Sequence, residues 1–223
     1  MTSNIGHRGA AGLEPENTLR SFCRAAAEGA DAVELDLRLS RDGRLVVLHD
    51  PTVDRTTNGN GPVAGMTLDE IQHLDAGLGE RIPTLEETLD AIELPVHAEL
   101  KAVEAAGPLA DLILARGLAE RVTPISFNTE ALRRIKLSLP DLPVGLVVSG
   151  AAYGLAPALQ IGAALVSLEA AYLDAAGVES CREVRLRVTA WTVNEPEEMR
   201  RILDLEVDGV VTDRPDLLAE LVV

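Results

Sequence analysis

Short apolar runs alternate with longer, more polar stretches along the chain. The runs are rich in Val, Ile and Leu, as buried parallel strands are, and the stretches between them are rich in Ala, Leu, Glu and Arg, which favour helices. The runs predict eight parallel strands: Asn4–Arg8, Ala32–Arg38, Pro95–Lys101, Val122–Phe127, Val144–Ser149, Ala164–Glu169, Arg187–Val193 and Gly209–Asp213. The stretches predict eight helices: Thr18–Glu28, Leu85–Ile92, Val103–Arg116, Thr129–Ser138, Ala151–Ile161, Asp174–Glu183, Pro196–Asp204 and Pro215–Val222.

Strands that are each followed by a helix predict an α/β fold, the (β/α)8 TIM barrel, for which a chain of 223 residues is long enough. An open doubly wound sheet is the alternative. Its dinucleotide-binding form has little support, because no Gly-x-Gly-x-x-Gly turn follows the first predicted strand. In a TIM barrel, functional side chains are expected at the carboxyl ends of the strands.

The apolar run Leu45–His49 does not fit this alternation. Only a short polar segment around Asp42-Gly43, a turn signal, separates it from the second predicted strand. A parallel crossover needs about a dozen residues or more. The run is therefore predicted to be an antiparallel arm folded back on the second strand, with Asp36 opposite Leu48 or His49.

A long segment from Asp50 to Pro83 follows this arm and contains the turn-rich piece Asn58–Pro62. A connection of this length inside a compact domain usually serves a function. We therefore expect residues 1–223 to form a single domain, with residues 50–83 as a short insertion over the catalytic face.

The composition narrows the classes of partner. The chain has 36 acidic and 20 basic residues and a net charge of −16, so we expect neither nucleic acid nor anionic membranes as partners. Its start lacks the basic and apolar segments of a signal peptide, and no apolar run is long enough to cross a bilayer. The only two cysteines, Cys23 and Cys181, suit a reduced compartment. We therefore expect a cytoplasmic protein without stable membrane association.

Two neighbouring strands are predicted to direct carboxylates into the barrel. Because side chains alternate along a strand, Glu34 and Asp36 share the inner face of one strand, and Glu99 and Lys101 share that of the next. Buried like charges are costly unless they are paired or bind a metal. Three such carboxylates can bind one hard cation such as Mg²⁺ or Ca²⁺. A salt-bridge network is an equally good interpretation, and its cations would be Arg8, Arg38 and Lys101.

Two histidines are predicted to lie near these carboxylates. His7 ends the first predicted strand and is followed by Arg8, while the antiparallel arm brings His49 beside Asp36. Histidine carries protons near neutral pH, and the cations can bind an anion. With a divalent metal the group would carry a net positive charge, which suits a phosphodiester.

The chain also resembles a known family, the glycerophosphodiester phosphodiesterases. The resemblance rests on nine ordered segments: His7-Arg8-Gly9, Pro15-Glu16-Asn17-Thr18, Glu34-Leu35-Asp36, His49-Asp50, Arg55-Thr56-Thr57, Ile82–Glu87, Glu99-Leu100-Lys101, Trp191–Asn194 and Asp208–Asp213. It implies a barrel related to the phosphatidylinositol-specific phospholipases C and a metal-dependent hydrolysis of glycerophosphodiesters to glycerol 3-phosphate and an alcohol.

The resemblance also implies roles for particular residues. They are the metal ligands Glu34, Asp36 and Glu99, the general acid and base His7 and His49, and the substrate contacts Arg8, Lys101 and Trp191. The cofactor would be one divalent cation, Mg²⁺ or Ca²⁺. The position of His49 near the long segment favours it as the acid that meets the outgoing alcohol.

Two other functions are considered. A catalytically silent barrel that binds a phosphate ester would not need two histidines. A lysophospholipase D would need an apolar surface beside the site. Several polar residues are interpreted as structural: Asn17 or Thr18 as the cap of the first helix, Asp213 as the cap of the last helix, and His97 as a hydrogen-bonded core histidine.

Overall fold

Eight parallel strands close into a barrel at the centre of the computed structural model, which describes residues 2–151 and 153–222. The strands are β1 (Ser3–His7), β2 (Ala32–Leu39), β3 (Leu45–Val47), β4 (Val96–Leu100), β5 (Val122–Ser126), β6 (Gly145–Val148), β7 (Leu165–Glu169), β8 (Arg187–Trp191) and β9 (Gly209–Thr212). All except β3 belong to the barrel, and β1 pairs with both β2 and β9, which closes the ring. The TIM-barrel prediction is confirmed, and the open-sheet alternative is wrong.

Helices follow the barrel strands, as predicted. They are α1 (Leu19–Ala27), α2 (Leu68–Gln72), α3 (Leu85–Ala91), α4 (Ala106–Arg116), α5 (Thr129–Ser138), α6 (Leu155–Ile161), α7 (Ala175–Glu183), α8 (Pro196–Leu203) and α9 (Pro215–Ala219). The helix predicted over Ala151–Ile161 begins at Leu155, after Gly154 in the left-handed conformation (φ 61°), and Ala152 lies outside the described residues. The helix predicted over Pro215–Val222 ends at Ala219.

Alternation along the strands separates the core from the barrel interior. Val33, Leu35 and Leu37 of β2 are fully buried in the apolar layer between barrel and helices. The residues between them, Glu34 and Asp36, point into the barrel. The same separation holds in β4 and explains why charged side chains can occupy the barrel without interrupting the core.

The short strand β3 forms the predicted antiparallel arm. It pairs with β2 in the register Leu37 with Val47, and the backbone N–H of Leu48 donates to the carbonyl of Asp36 at 2.9 Å. Asp36 is thus opposite Leu48, as the turn at Asp42-Gly43 predicts. The arm carries His49 to the mouth of the barrel.

Residues 50–83 pack on this arm around a second apolar cluster. The buried members of the cluster are Val46, Leu48, Val53, Val63, Ile71, Ala76 and Ile82. Helix α2 begins with a capping box formed by Thr67 and Glu70, and a 3₁₀ turn covers Val63–Gly65. Among the described residues, no helix has the length and apolar character needed to cross a membrane.

Candidate active site

A pocket of about 160 Å³ opens at the carboxyl ends of the barrel strands. One side is charged and one is apolar. The charged side consists of His7, Arg8, Glu34, His49, Glu99 and Lys101, and the apolar side includes Ile125, Phe127, Val147, Trp191 and Val211. Asp36, which the sequence also predicts as a site residue, is 1% exposed and contacts Arg8 and Lys101. The structure therefore brings together all eight predicted site residues: His7, Arg8, Glu34, Asp36, His49, Glu99, Lys101 and Trp191.

A tight turn after β1 directs His7 and Arg8 to the pocket. Arg8 and Gly9 both have positive φ, at 50° and 85°. The turn lies against α1, where the Ser21 hydroxyl donates to the Arg8 carbonyl at 2.8 Å and accepts from the N–H of Ala10 at 2.9 Å. A Cβ on Gly9 would lie 2.6 Å from the backbone carbon of Ser21. Glycine is thus required here both for its φ and for this close approach.

A carboxylate orients the ring of His7. The Nδ1 atom of His7 lies 2.7 Å from Oδ1 of Asp213, whose other oxygen accepts from Asn194 Nδ2 at 2.6 Å. The prediction that Asp213 caps the last helix is wrong: α9 has no side-chain cap, because the Asp213 carboxylate binds His7 instead. Burial lowers the pKa of His7, but the bond to Asp213 and the charge of Glu34 outweigh it, so this pKa is raised.

His49 is oriented in the same manner by its neighbour in sequence. Its Nδ1 atom lies 2.7 Å from Oδ1 of Asp50, and Asp50 is held in turn by Arg55. Burial lowers the pKa of His49, and the bond to Asp50 offsets this only in part. Both candidate proton carriers thus have Nδ1 bound to a carboxylate, which leaves Nε2 as the nitrogen available to a substrate.

Glu34, Asp36 and Glu99 form a buried cluster in which each offers an oxygen, all within 4.8 Å of one another. Burial and the charge of Asp36 raise the pKa of Glu34 to about 8, and burial also raises that of Glu99. Burial acts in the same sense on Asp36, but Lys101 and Arg8 lower its pKa overall. Three buried carboxylates in which two resist ionisation fit a hard divalent cation, because their oxygens are the ligands that it prefers.

The ion pairs of Lys101 support the alternative interpretation, in which these carboxylates belong to a salt-bridge network. Its Nζ atom lies 2.7 Å from Glu99 Oε1 and 3.0 Å from Asp36 Oδ1. Arg38, in contrast, is not part of such a network, because it donates to the backbone carbonyl of His49. Lys101 and the carboxylates therefore form a partly neutralised group. Among the described residues, the donors nearest to the Glu34 carboxylate are the Arg8 N–H at 3.2 Å and His7 Nε2 at 3.9 Å.

Asn17 is a site residue that sequence reasoning missed. The prediction of a helix cap holds for Thr18, whose hydroxyl accepts from the Ser21 N–H. Asn17 instead has a φ of 58°, is buried, and donates from Nδ2 to Asp36 Oδ2 at 2.8 Å. Its contact with Asp36 spans 19 positions, and no periodicity in the sequence indicates it.

Two aromatic rings form the apolar side of the pocket. Trp191 donates from Nε1 to the carbonyl of Ser167 at 2.9 Å, and Phe127 meets it edge-on with ring centres 5.6 Å apart. The Lys101 ammonium lies 5.9 Å from the centre of the Phe127 ring. The two rings, perpendicular to one another, thus form an apolar wall next to Lys101.

His97 lies two residues deeper along β4 than Glu99. The prediction of a hydrogen-bonded core histidine is wrong, since no described residue hydrogen-bonds to its ring. Burial, together with the charge of Arg187, lowers its pKa to about 4. His97 is therefore a neutral residue of the barrel interior and does not line the pocket.

The chain is similar to known proteins over nearly its whole length. The family model described as the glycerophosphoryl diester phosphodiesterase family matches residues 7–217. A glycerophosphodiester phosphodiesterase of Caldanaerobacter subterraneus subsp. tengcongensis is 41% identical over 236 aligned positions, which cover 98% of this chain and 96% of the relative.

Solved structures agree with this similarity. The crystal structure of a glycerophosphodiester phosphodiesterase from Agrobacterium tumefaciens is 32% identical, with a TM-score of 0.88 and coverage of 99% of this chain and 100% of that one. A phosphodiesterase of Oleispira antarctica, solved in complex with the product sn-glycerol-3-phosphate, is 28% identical, with a TM-score of 0.90 and coverage of 97% and 94%.

Proposed function

Because the chain belongs to the glycerophosphoryl diester phosphodiesterase family and hydrolyses glycerophosphodiesters to glycerol 3-phosphate and an alcohol, we propose that the pocket between His7, His49 and Trp191 is its active site. The observation that carries this proposal is the pairing of two carboxylate-bound histidines with a buried carboxylate cluster in one pocket.

His7 and His49 are the proton-transfer pair in this proposal. One takes the proton of the hydroxyl nucleophile and the other gives a proton to the leaving alkoxide. Asp213 and Asp50 hold the two rings with Nε2 free, as a general base needs. The side chain of His49 is 35% exposed and that of His7 is 20% exposed, which supports His49 as the acid that meets the outgoing alcohol. Because the pKa of His49 is lowered and that of His7 is raised, His49 would act as the acid from its minor, protonated fraction.

Arg8 and Lys101 bind the phosphoryl oxygens in this proposal. Both cations line the pocket and keep their charge, because the carboxylates Asp36 and Glu99 lie beside them. Fixed charges stabilise the negative charge that develops in the transition state. They also offset locally the net charge of −16, which repels an anionic substrate.

Glu34, Asp36 and Glu99 would hold the divalent cation on which the family depends, and we propose Mg²⁺ or Ca²⁺ because all donors are carboxylate oxygens. When bound, such an ion polarises a phosphate oxygen and orients the nucleophile. Asn17 keeps Asp36 in place through its amide, and Lys101 pairs with both Glu99 and Asp36.

Trp191 and Phe127 provide the surface on which the carbon skeleton of the glycerol packs in this proposal, while residues 50–83 cover the catalytic face. The support is that both rings line the same pocket as the charged residues, with Phe127 beside Lys101, and that Arg55 of this segment contacts Asp50, the partner of His49. The substrate is thus a small glycerophosphodiester. We expect no nucleic-acid partner, on the net charge, and a cytoplasmic location.

The test of the proton-transfer pair uses two substrates with different leaving groups. His49→Asn is expected to lose about 100- to 10,000-fold on glycerophosphocholine and to recover in part on a p-nitrophenyl phosphodiester, which needs little protonation of its leaving group. His7→Asn is expected to lose activity on both. His73→Asn is the control, because this exposed histidine at the end of α2 should leave both rates unchanged. Equal losses on both substrates for both variants would contradict proton transfer.

A further inference from the structure

A chain of ion pairs links the insertion to both sides of the pocket, and Arg55 is at its centre. On one side Arg55 Nη1 and Nη2 each lie 2.8 Å from an oxygen of Glu16, and Glu16 Oε1 also accepts from Arg8 Nη1 at 2.8 Å. On the other side Arg55 Nε lies 2.7 Å from Asp50 Oδ2, and Asp50 Oδ1 binds the ring of His49. The two outer members, Arg8 and His49, line the pocket, whereas Arg55 does not.

The guanidinium of Arg55 forms one bidentate contact with Glu16 and another with Asp50. Its Nη2 atom bonds Glu16 at 2.8 Å and Asp50 at 3.2 Å, while Nη1 and Nε each bond one of the two. Such paired contacts fix the direction of both carboxylates, which a lysine ammonium cannot do. Both carboxylates have lowered pKa values: for Asp50 the bond to Arg55 is the main cause, and for Glu16 burial opposes but does not cancel the effect of Arg55.

The carboxylates that Arg55 binds are also partners of two pocket residues. The side chain of Arg55 is 47% exposed, whereas Glu16 and Asp50 are only 19% and 24% exposed and contact Arg8 and His49. The backbone that carries Arg55 is nevertheless held firmly, because Val53, two residues earlier, is fully buried in the second apolar cluster. The insertion therefore presents Arg55 at a defined place beside the pocket.

We propose that Arg55 is a positioning residue of the reaction, which orients Asp50 behind His49 and Glu16 behind Arg8 so that the proton carrier and the phosphate contact keep a fixed relation. This proposal rests on the proposed function of the pocket. It assigns to the insertion a part in assembling the site, in addition to covering it.

The electrostatics of His49 provide a signature of this role. The ring faces Asp50, and the charges of Asp36, Lys101 and Arg8 also act on it, while Arg38 bonds only its backbone carbonyl. Removal of the Arg55 charge leaves Asp50 less neutralised, which favours the protonated ring. Removal of the Glu16 charge leaves Arg55 more strongly positive, which disfavours it.

The experiment is an NMR titration of the His49 ring nitrogens in the full-length protein, with the signal assigned by its loss in His49→Asn. Arg55→Gln is expected to raise the pKa of His49, and Glu16→Gln to lower it. Arg81→Gln is the matched control, an arginine of the same insertion whose only ion pair with a described residue, Glu87, is 3.9 Å long. It should leave the pKa unchanged.

The second measurement is kcat on glycerophosphocholine, determined for the Arg55 variants. Arg55→Gln and Arg55→Lys are expected to lower kcat on the order of 10- to 100-fold, because the lysine keeps the charge but not the paired contacts. Melting temperatures should fall by about 2–4 °C for each kcal/mol of ion-pair stability that is lost, which leaves the variants folded in the assay.

The outcomes separate the two proposals. An unchanged His49 pKa in Arg55→Gln, with kcat unchanged or with a lower melting temperature alone, would overturn the positioning role. A raised His49 pKa with unchanged kcat would show an electrostatic link from Arg55 to His49 without a part in the reaction, and would also overturn the positioning role. Failure of the proposed function is seen separately, as unchanged kcat in His49→Asn.

Discussion

At the scale of the residue, the charge of Lys101 is central to the chemistry proposed for the pocket. Lys101 is 14% exposed, and burial would lower its pKa, but Asp36 and Glu99 more than compensate and raise it, so the residue stays charged. The same contacts keep its ammonium beside the pocket rather than in solvent. A charged, mostly buried cation that lines the proposed active-site pocket suits electrostatic stabilisation of a phosphoryl group.

Lys101→Met is therefore expected to lose far more activity than Lys136→Met. Loss of a charge-assisted contact in the transition state costs about 3 kcal/mol, or roughly 100-fold in kcat/KM. Lys136 lies on the outer helix α5, where it donates to the carbonyl of Pro140, and is the matched control. Steady-state kinetics on glycerophosphocholine, with circular dichroism to check folding, make the comparison. Equal kinetics of the two variants would argue against a phosphate contact at Lys101.

Asp50→Asn is expected to shift the pH dependence of kcat/KM. Burial already lowers the pKa of His49, and the bond from Asp50 raises it in part. With asparagine this support is lost, and the pKa of His49 falls further. In a profile set by two histidines, the acid limb follows the lower pKa, so it should move to lower pH.

A pH–rate profile of Asp50→Asn and wild type measures this shift. Asp54→Asn is the control, since Asp54 lies in the same segment but accepts from the Gly61 N–H rather than from a histidine. An acid limb that moves to higher pH, or does not move, would mean that Asp50 does not tune His49.

The residues of the carboxylate cluster and the cations Arg8 and Lys101 beside it could be predicted, but the contacts made by Asn17 and Asp213 could not. Alternation along β2 and β4 directs Glu34, Asp36 and Glu99 into the barrel, and it needs only local sequence. The bonds of Asn17 to Asp36 and of His7 to Asp213 depend on loop conformations that bring distant residues together. Asp213 is an example. Its position before Arg214-Pro215 predicts a helix cap, but in the structure its carboxylate binds His7, which is distant in sequence.

At the scale of the element, the turns position the site residues as much as the strands and helices do. The hairpin of β2 and β3 could be predicted because its turn is too short for a parallel crossover. The turn after β1 could not, because its shape comes from packing on α1: the Ser21 hydroxyl bonds both Arg8 and Ala10. The close packing of this turn on α1 explains why the motif His7-Arg8-Gly9 ends in glycine.

Gly9→Ala is expected to destabilise the protein more than Gly43→Ala. Both glycines have positive φ, of 85° and 76°, so both variants carry backbone strain of about 1 kcal/mol or more. Only at Gly9 would the new Cβ also meet backbone, 2.6 Å from the carbonyl carbon of Ser21, whereas at Gly43 nothing lies within 4 Å. Denaturant unfolding measures the two free energies, and equal losses would show that close packing on α1 is not what requires Gly9.

The whole molecule is a barrel with an insertion that has an apolar cluster of its own. The barrel could be predicted from the alternation of strands and helices, because its core lies outside the ring and depends on one face of each strand. The packing of residues 50–83 could not, since its buried residues are spread among turns without periodicity. This arrangement places a charged pocket at one end of a rigid scaffold.

The central claim is that the buried carboxylates serve a metal-assisted phosphodiesterase rather than a salt-bridge network. Release of glycerol 3-phosphate from glycerophosphocholine tests it directly, measured for wild type and for Glu34→Gln, Asp36→Asn and Glu99→Gln, each with chelator and after addition of Mg²⁺ or Ca²⁺. The account predicts that chelator abolishes release by wild type, that the cation restores it, and that the three variants stay folded but inactive. Release that persists in chelator, or in all three variants, would contradict it.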